Sequence, residues 1–291
     1  MDEGLFRIMV ESIEPEESFV QMFWSPAPYP GQAIDSVLRA SVRLGMRKPI
    51  ARELDVVDPS SVPAESYHDK KSNVFYALEC FSFPTEESFI APLGIIASSE
   101  KGEHDYEQIR EGFSLTKTEE NIYELEAVIE RDNLLNAFFE LIKRLPSIEV
   151  FWIRIAADWE ERGREEFWTN EDLNTFDSIT SFLTTHFNDT VANGHVALTV
   201  YSDVGQTNLS IDTHKTIVVL TKSAKMQRTM AATLRRLGFE ELSEFYSLRY
   251  NYHHWHYRPA RSKSRTSLIA ALKRNGFNLW KVQEPEDETH T

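Results

Sequence analysis

The chain has a single cysteine, Cys80, so no intramolecular disulfide can form, and neither a CxxC pair nor a Cys/His zinc spacing can be built around it. Its setting, FYALECFSF, has the apolar density of a buried strand, where a thiol is an inert packing residue. Long apolar runs are missing too. IVVLT and FWIRIAA are strand-sized, far short of the roughly 20 residues that cross a bilayer. The opening MDEGLFRIMVESIEPEE puts acids where a secretory leader carries cations. A cytoplasmic location without membrane contact is the expectation. Phosphate-cradling motifs are absent, since neither GxGxxG nor GxxxxGK[ST] occurs. Nor is there a GxSxG elbow or an HExxH helix, so no cofactor is expected and the chain leans away from catalysis.

What the sequence does have is apolar bulk and a lopsided charge. Aromatics make up 12% of the 291 residues, enough to build a buried core against the entropy of the chain. Formal net charge is −15, which argues against general nucleic-acid affinity. Yet thirteen Lys/Arg and only three acids, Glu240, Glu241 and Glu244, fall between Lys222 and Lys281. A segment of charge +10 in so acidic a chain fits two explanations. It docks internally or on a second copy, or it meets an anionic ligand.

Helical and extended patterns alternate along the chain. Residues 34–46, 133–148, 226–239 and 264–277 have apolar residues at three- and four-residue spacing, a cation in the last turn, and a Gly or Pro stop. A further helix is predicted over 169–187. The last two of the four share Lys225/Lys263, Leu234/Leu272, Arg236/Arg274, Gly238/Gly276 and Phe239/Phe277 when aligned on Gly-Phe. Strands are predicted at 6–12, 19–24, 50–57, 73–83, 113–118, 122–130, 148–157, 195–202, 207–211, 216–221, 245–257 and 277–282. The fold class that follows is α+β, with two units of helix and mainly antiparallel sheet, each in a βαββαβ (ferredoxin-like) order. The expected division is 1–157 for an acidic N-terminal unit, 158–170 for a charged connector, 171–283 for a C-terminal unit holding the basic 222–281 segment, and 284–291 for a disordered tail.

The densest chemistry is in YNYHHWHYRPARSKSR, residues 250–265. If 245–257 is extended, Tyr250, Tyr252, His254, His256 and Arg258 share one face, followed by Arg261, Lys263 and Arg265. Rings interleaved with cations suit an anionic ligand or a protein partner, and also a strand buried between packed units. His254 and His256 are two apart and are weak candidates for a shared metal, which needs further donors; only Asp212 and His214 are near in sequence. His195, His253 and Asp189 are weaker still. His214-Lys-Thr216 matches one H-x-T element of two-histidine phosphoesterases, whose chemistry needs a second copy that is not present. The loops Thr221–Lys225 and Arg261–Arg265 both place hydroxyls and cations where a helix begins, fitting helix caps or an anion site.

The leading expectation is a non-enzymatic binding protein using Tyr250, Tyr252, His254, His256, Arg258, Arg261, Lys263 and Arg265 for an anionic ligand or protein partner, self-association included. Nucleic acid is not favoured. One alternative is a phosphoester or metal-assisted hydrolase using His214, His254 and His256 with Asp212. The other is an acidic inhibitor or decoy working through the negatively charged remainder.

Overall fold

The computed structural model describes residues 4–15, 17–59, 62, 66–85, 95–98, 110–159, 164–250, 253–256 and 262–283. The chain forms two compact units, and each is α+β with mainly antiparallel sheet. The first comprises Met1–Ala91 with Trp159–Glu161, the second Pro92–Asp158 with Arg162–Thr291.

In the first unit β1 (Gly4–Ser12), β2 (Glu17–Ala27), β3 (Ile50–Val57), β4 (Tyr67–Asp69) and β5 (Val74–Pro84) make a sheet of order β3-β1-β2-β5-β4. Helix α1 (Pro30–Arg43) joins β2 to β3. Pro30 opens it, with φ fixed for the first turn, and Ala33, Val37 and Ala40 then fall on one buried stripe. That stripe packs with Phe6, Ile8, Val10 and Phe23 to make the unit's core.

The second unit carries β6 (Ile95–Ser98), β7 (Gly112–Lys117), β8 (Tyr123–Val128), β9 (Val150–Ile155), β10 (Glu165–Thr169), β11 (Val196–Ser202), β12 (Thr207–Ile211), β13 (Ile217–Thr221), β14 (His253–His256) and β15 (Asn278–Gln283). Eight of these form one sheet of order β15-β10-β9-β11-β12-β13-β8-β7, with every ladder antiparallel, while β14 pairs with β6 alone. The helices are α2 (Arg131–Ile142), α3 (Phe176–Thr185), α4 (Ala224–Arg236) and α5 (Arg265–Arg274). They bury Leu134, Phe138, Ile179, Leu183, Met230, Leu234, Leu268 and Leu272. The sheet face that receives them presents Phe151, Ile153, Ile155, Leu198, Val200, Leu209, Ile217 and Val219, all fully buried. Phe151 meets Phe182 of α3 and Phe277 beyond α5 edge-on, with ring centroids 6.1 and 6.2 Å apart.

The ends of α4 and α5 repeat each other in structure as in sequence. Ser223 and Ser264 cap them by accepting from Met226 N–H (3.2 Å) and Ser267 N–H (3.3 Å). Gly238 and Gly276 close them at φ +99° and +80°, in the left-handed region where a Cβ would be strained.

Four expectations need correction. Neither unit has a βαββαβ order: among the described residues the first is ββαβββ, and the second strings hairpins between helices. Within the expected connector 158–170, Glu165–Thr169 is β10 of the large sheet, hydrogen-bonded to β9 on one side and β15 on the other, and 160–163 lie outside the described residues. The strands β7, β8 and β9, assigned from sequence to the N-terminal unit, belong to that same sheet. Finally, 245–257 is not one strand. Leu248–Tyr250 is a 3₁₀ turn, and among the described residues of this segment only His253–His256 is a strand.

Candidate functional site

Because side chains alternate along a strand, the large sheet's second face is fixed by the same registers. It carries Glu124 and Glu126 of β8, Val218 of β13, Ser210 of β12, Thr199 of β11, Trp152 and Arg154 of β9, and Phe167 and Thr169 of β10. One half of this face is a charged cluster, the other an aromatic cleft.

The cluster gathers at the β12–β13 turn. Asp212 N–H donates to Thr216 O at 3.1 Å, and Asp212 Oδ1 accepts from Thr216 N–H at 2.9 Å, so the turn is closed from both sides. Three residues span it and the last, Lys215, sits at φ +63°, the left-handed position of such loops. A lysine tolerates that conformation here because its side chain is anchored: its buried ammonium donates to Val196 O at 2.6 Å and Thr190 O at 3.5 Å. Burial pulls the Lys215 pKa down to about 7, and the facing Asp212 only partly opposes this. Burial likewise pushes Asp212 above the usual carboxylate range, against the pull of Thr216 N–H, Lys215, Arg249 and Arg154. Glu126 is raised by burial too, although Ser247 Oγ donates to it at 2.6 Å. Arg249 completes the group, pairing with Glu124 and lying 3.9 Å from Asp212. The segment 247–249 is thus pinned across this face by polar contacts.

His214 Nδ1 lies 3.9 Å from Asp212 Oδ2 in the same turn. Of the other sequence-derived site residues, Lys263 donates its backbone N–H to Asp189 Oδ1 at 2.7 Å and its ammonium to Oδ2. Burial, and after it the Lys263 charge, holds His186 below its ordinary pKa, against the opposing pull of Asp189. Arg265 donates to Glu166 Oε1 at 2.7 Å and to Arg164 O at 3.1 Å. Both cations are therefore engaged by carboxylates of the same unit, as are Arg235 (Glu241), Arg236 (Glu140) and Arg249. Tyr252, Arg258 and Arg261 lie outside the described residues, as do the side chains of Tyr250, His254 and His256. Among the described residues, no group of three or more His, Cys, Asp and Glu could hold a metal ion, and no helix is long and apolar enough to cross a membrane.

The aromatic cleft sits at the other end of the face. The β10–β15 register slips between Phe167 and Trp168, so Trp280 has no partner in the ladder and is swung beside Trp152. The two indoles lie 6.4 Å apart at 34°, and Phe167 meets Trp280 edge-on at 6.3 Å. The two indoles line a cleft of about 260 Å³ together with Val150, Thr169 and Asn170, with Glu149 and Glu171 exposed at its rim. Next to it, all of β15 is exposed, with Leu279 at 47%, Trp280 at 65% and Val282 at 39%. Trp152 looks from sequence like a core anchor, and Trp280 carries no sequence signal beyond its strand. Only the register joins them.

No family model, curated relative or solved structure matches this chain. Its function is therefore argued from this geometry alone.

Proposed function

We propose that this chain is a non-enzymatic binding protein that engages a protein partner where β9, β10 and β15 meet, on the second face of the large sheet. One observation carries the reading: Trp280 is exposed on an edge strand beside an aromatic cleft, and its neighbours Leu279 and Val282, in register with Trp168 and Glu166 of the other face, are exposed on the same strand. Edge strands present unpaired backbone groups and are normally guarded by charge. Here the guard is Lys281 alone, between two large apolar side chains. Exposed tryptophan beside a concavity is the composition of an interface hot spot. The basic residues Lys263 and Arg265 contribute indirectly, since they pair with Asp189 and Glu166 of their own unit and part of the C-terminal charge is used there. The buried cluster supports scaffold rather than chemistry, because the Lys215 ammonium is turned to backbone carbonyls.

The test is selection from a displayed random-peptide library on the full chain, repeated with Trp280→Ser and with Leu279→Ser. Enrichment of peptides that bind the wild type and are lost with Trp280→Ser is the expected result. No enrichment, or enrichment indifferent to both substitutions, would overturn the reading.

A further inference from the structure

From the same cleft we infer the chemistry of what enters it: a lysine or arginine side chain projecting from the partner protein. This rests on the binding reading above and adds a ligand class to it. Size comes first. At about 260 Å³ the cleft is below the range of roughly 300–1,000 Å³ that holds cofactors and drug-sized ligands. It suits one long side chain.

Charge comes second. Glu149 and Glu171 stand exposed at the rim, and neither pairs with a cation among the described residues. Tyr201, opposite Val150 in the sheet, has its hydroxyl pushed above its ordinary pKa by desolvation first and then by Asp203 and Glu149, so a further carboxylate stands near this margin. An anion would meet these carboxylates in a chain of net charge −15, whereas a cation is drawn in.

The walls come third. Indole faces are the strongest aromatic partners of ammonium and guanidinium groups, and their apolar surface takes the methylene stem. Among the described residues no cation lies over Trp152 or Trp280. The cation nearest by sequence is Lys281, whose ammonium is placed over Phe167, 5.6 Å from the ring centroid. Phe167, which meets Trp280 edge-on beside the cleft, already holds one lysine in that way. An unpaired acidic rim around two open indoles is the complement of a second cation.

The experiment follows the indole N–H signals of Trp152 and Trp280 by NMR in the full chain. The probes are N-acetyl-lysine methylamide, its arginine counterpart, the Nε-acetylated lysine analogue, which keeps the methylene stem but has no charge, and the glutamate analogue. Lysine and arginine probes should shift both signals with saturation in the millimolar range. The neutral analogue should bind at least about tenfold more weakly, and the glutamate probe should leave the signals unmoved. Glu149→Gln with Glu171→Gln should weaken the lysine response about three- to tenfold, and Trp280→Leu should abolish the response of Trp152. Equal binding of the neutral analogue, or no shift with either cation, overturns the inference. Binding peptides recovered without enrichment in Lys or Arg would likewise sink the cation while leaving the binding reading intact. Failure of the peptide selection alone would sink the reading, not the cleft's preference.

Discussion

Replacing Lys215 by Met tests the electrostatics of the second unit. The amine is fully buried, and its pKa falls from 10.5 to about 7. In the unfolded chain it remains protonated to its ordinary value, so between pH 7 and 10.5 the unfolded state binds more protons than the folded one. Stability then rises with pH across that window. At pH 7 and below, holding the charge inside costs the fold up to about 5 kcal/mol, taken from the shift at 1.36 kcal/mol per unit. About 2 kcal/mol of this is recovered between pH 7 and 9. Methionine keeps the stem and removes the charge, but it deprives Val196 O of its donor, at roughly 1–3 kcal/mol. It also strips Asp212 of a counter-charge and pushes that carboxyl further up, which tilts the variant's own curve downward with pH. Urea unfolding of both proteins at pH 6, 7, 8 and 9 cancels every group they share. The wild-type advantage over Lys215→Met should grow by about 2 kcal/mol or more from pH 7 to pH 9. A difference that stays flat, or shrinks, would refute the claim that this lysine is neutralised by burial.

The remaining predictions concern packing. Asp189→Ala removes the acceptor of both Lys263 donors from a site 5% exposed, and should cost roughly 1–3 kcal/mol in urea unfolding, with faster hydrogen exchange at the Lys263 amide. Gly112, at φ +154°, leaves no room for a methyl, since a Cβ there would lie 2.7 Å from Leu242 and 2.8 Å from Glu240 O. Gly112→Ala should therefore cost about 1–3 kcal/mol and loosen the 240–242 segment from β7, visible as lost protection of Leu242 N–H. Phe151→Ala, at a fully buried ring, should cost about 3–5 kcal/mol, whereas Trp280→Ser should cost less than about 1 kcal/mol. Equal losses from these two would place Trp280 in the core and remove it from the proposed surface.

Periodicity and helix stops were enough to find the five helices and most strands, because burial of a single stripe or face leaves a repeat in the sequence. What they missed has a common cause. β10 is EEFWT, whose charges look solvated but are paired, Glu165 with Arg154 of β9 and Glu166 with Arg265 of α5. Lys215 stands in a polar turn and gives no hint of burial, since its acceptors belong to β11 and to the loop before it. The segment 245–257 has the aromatic content of a strand, yet its Ser247 and Arg249 are held by carboxylates of β8, and the chain turns there instead. The cleft was the least legible feature. Trp152 and Trp280 belong to strands that never pair directly and meet only because β10 lies between them and β15 carries a bulge. The expected binding residues were chosen for rings interleaved with cations, and the two that are fully described, Lys263 and Arg265, are engaged by carboxylates of their own unit.

The most direct measurement is the dissociation constant of the best selected peptide for the wild type, for Trp280→Ser and for Lys263→Ala. The account predicts a loss of at least about tenfold with Trp280→Ser and a change under about twofold with Lys263→Ala. A peptide that tolerates the first substitution and is lost with the second would contradict it, and would return the binding surface to the basic segment.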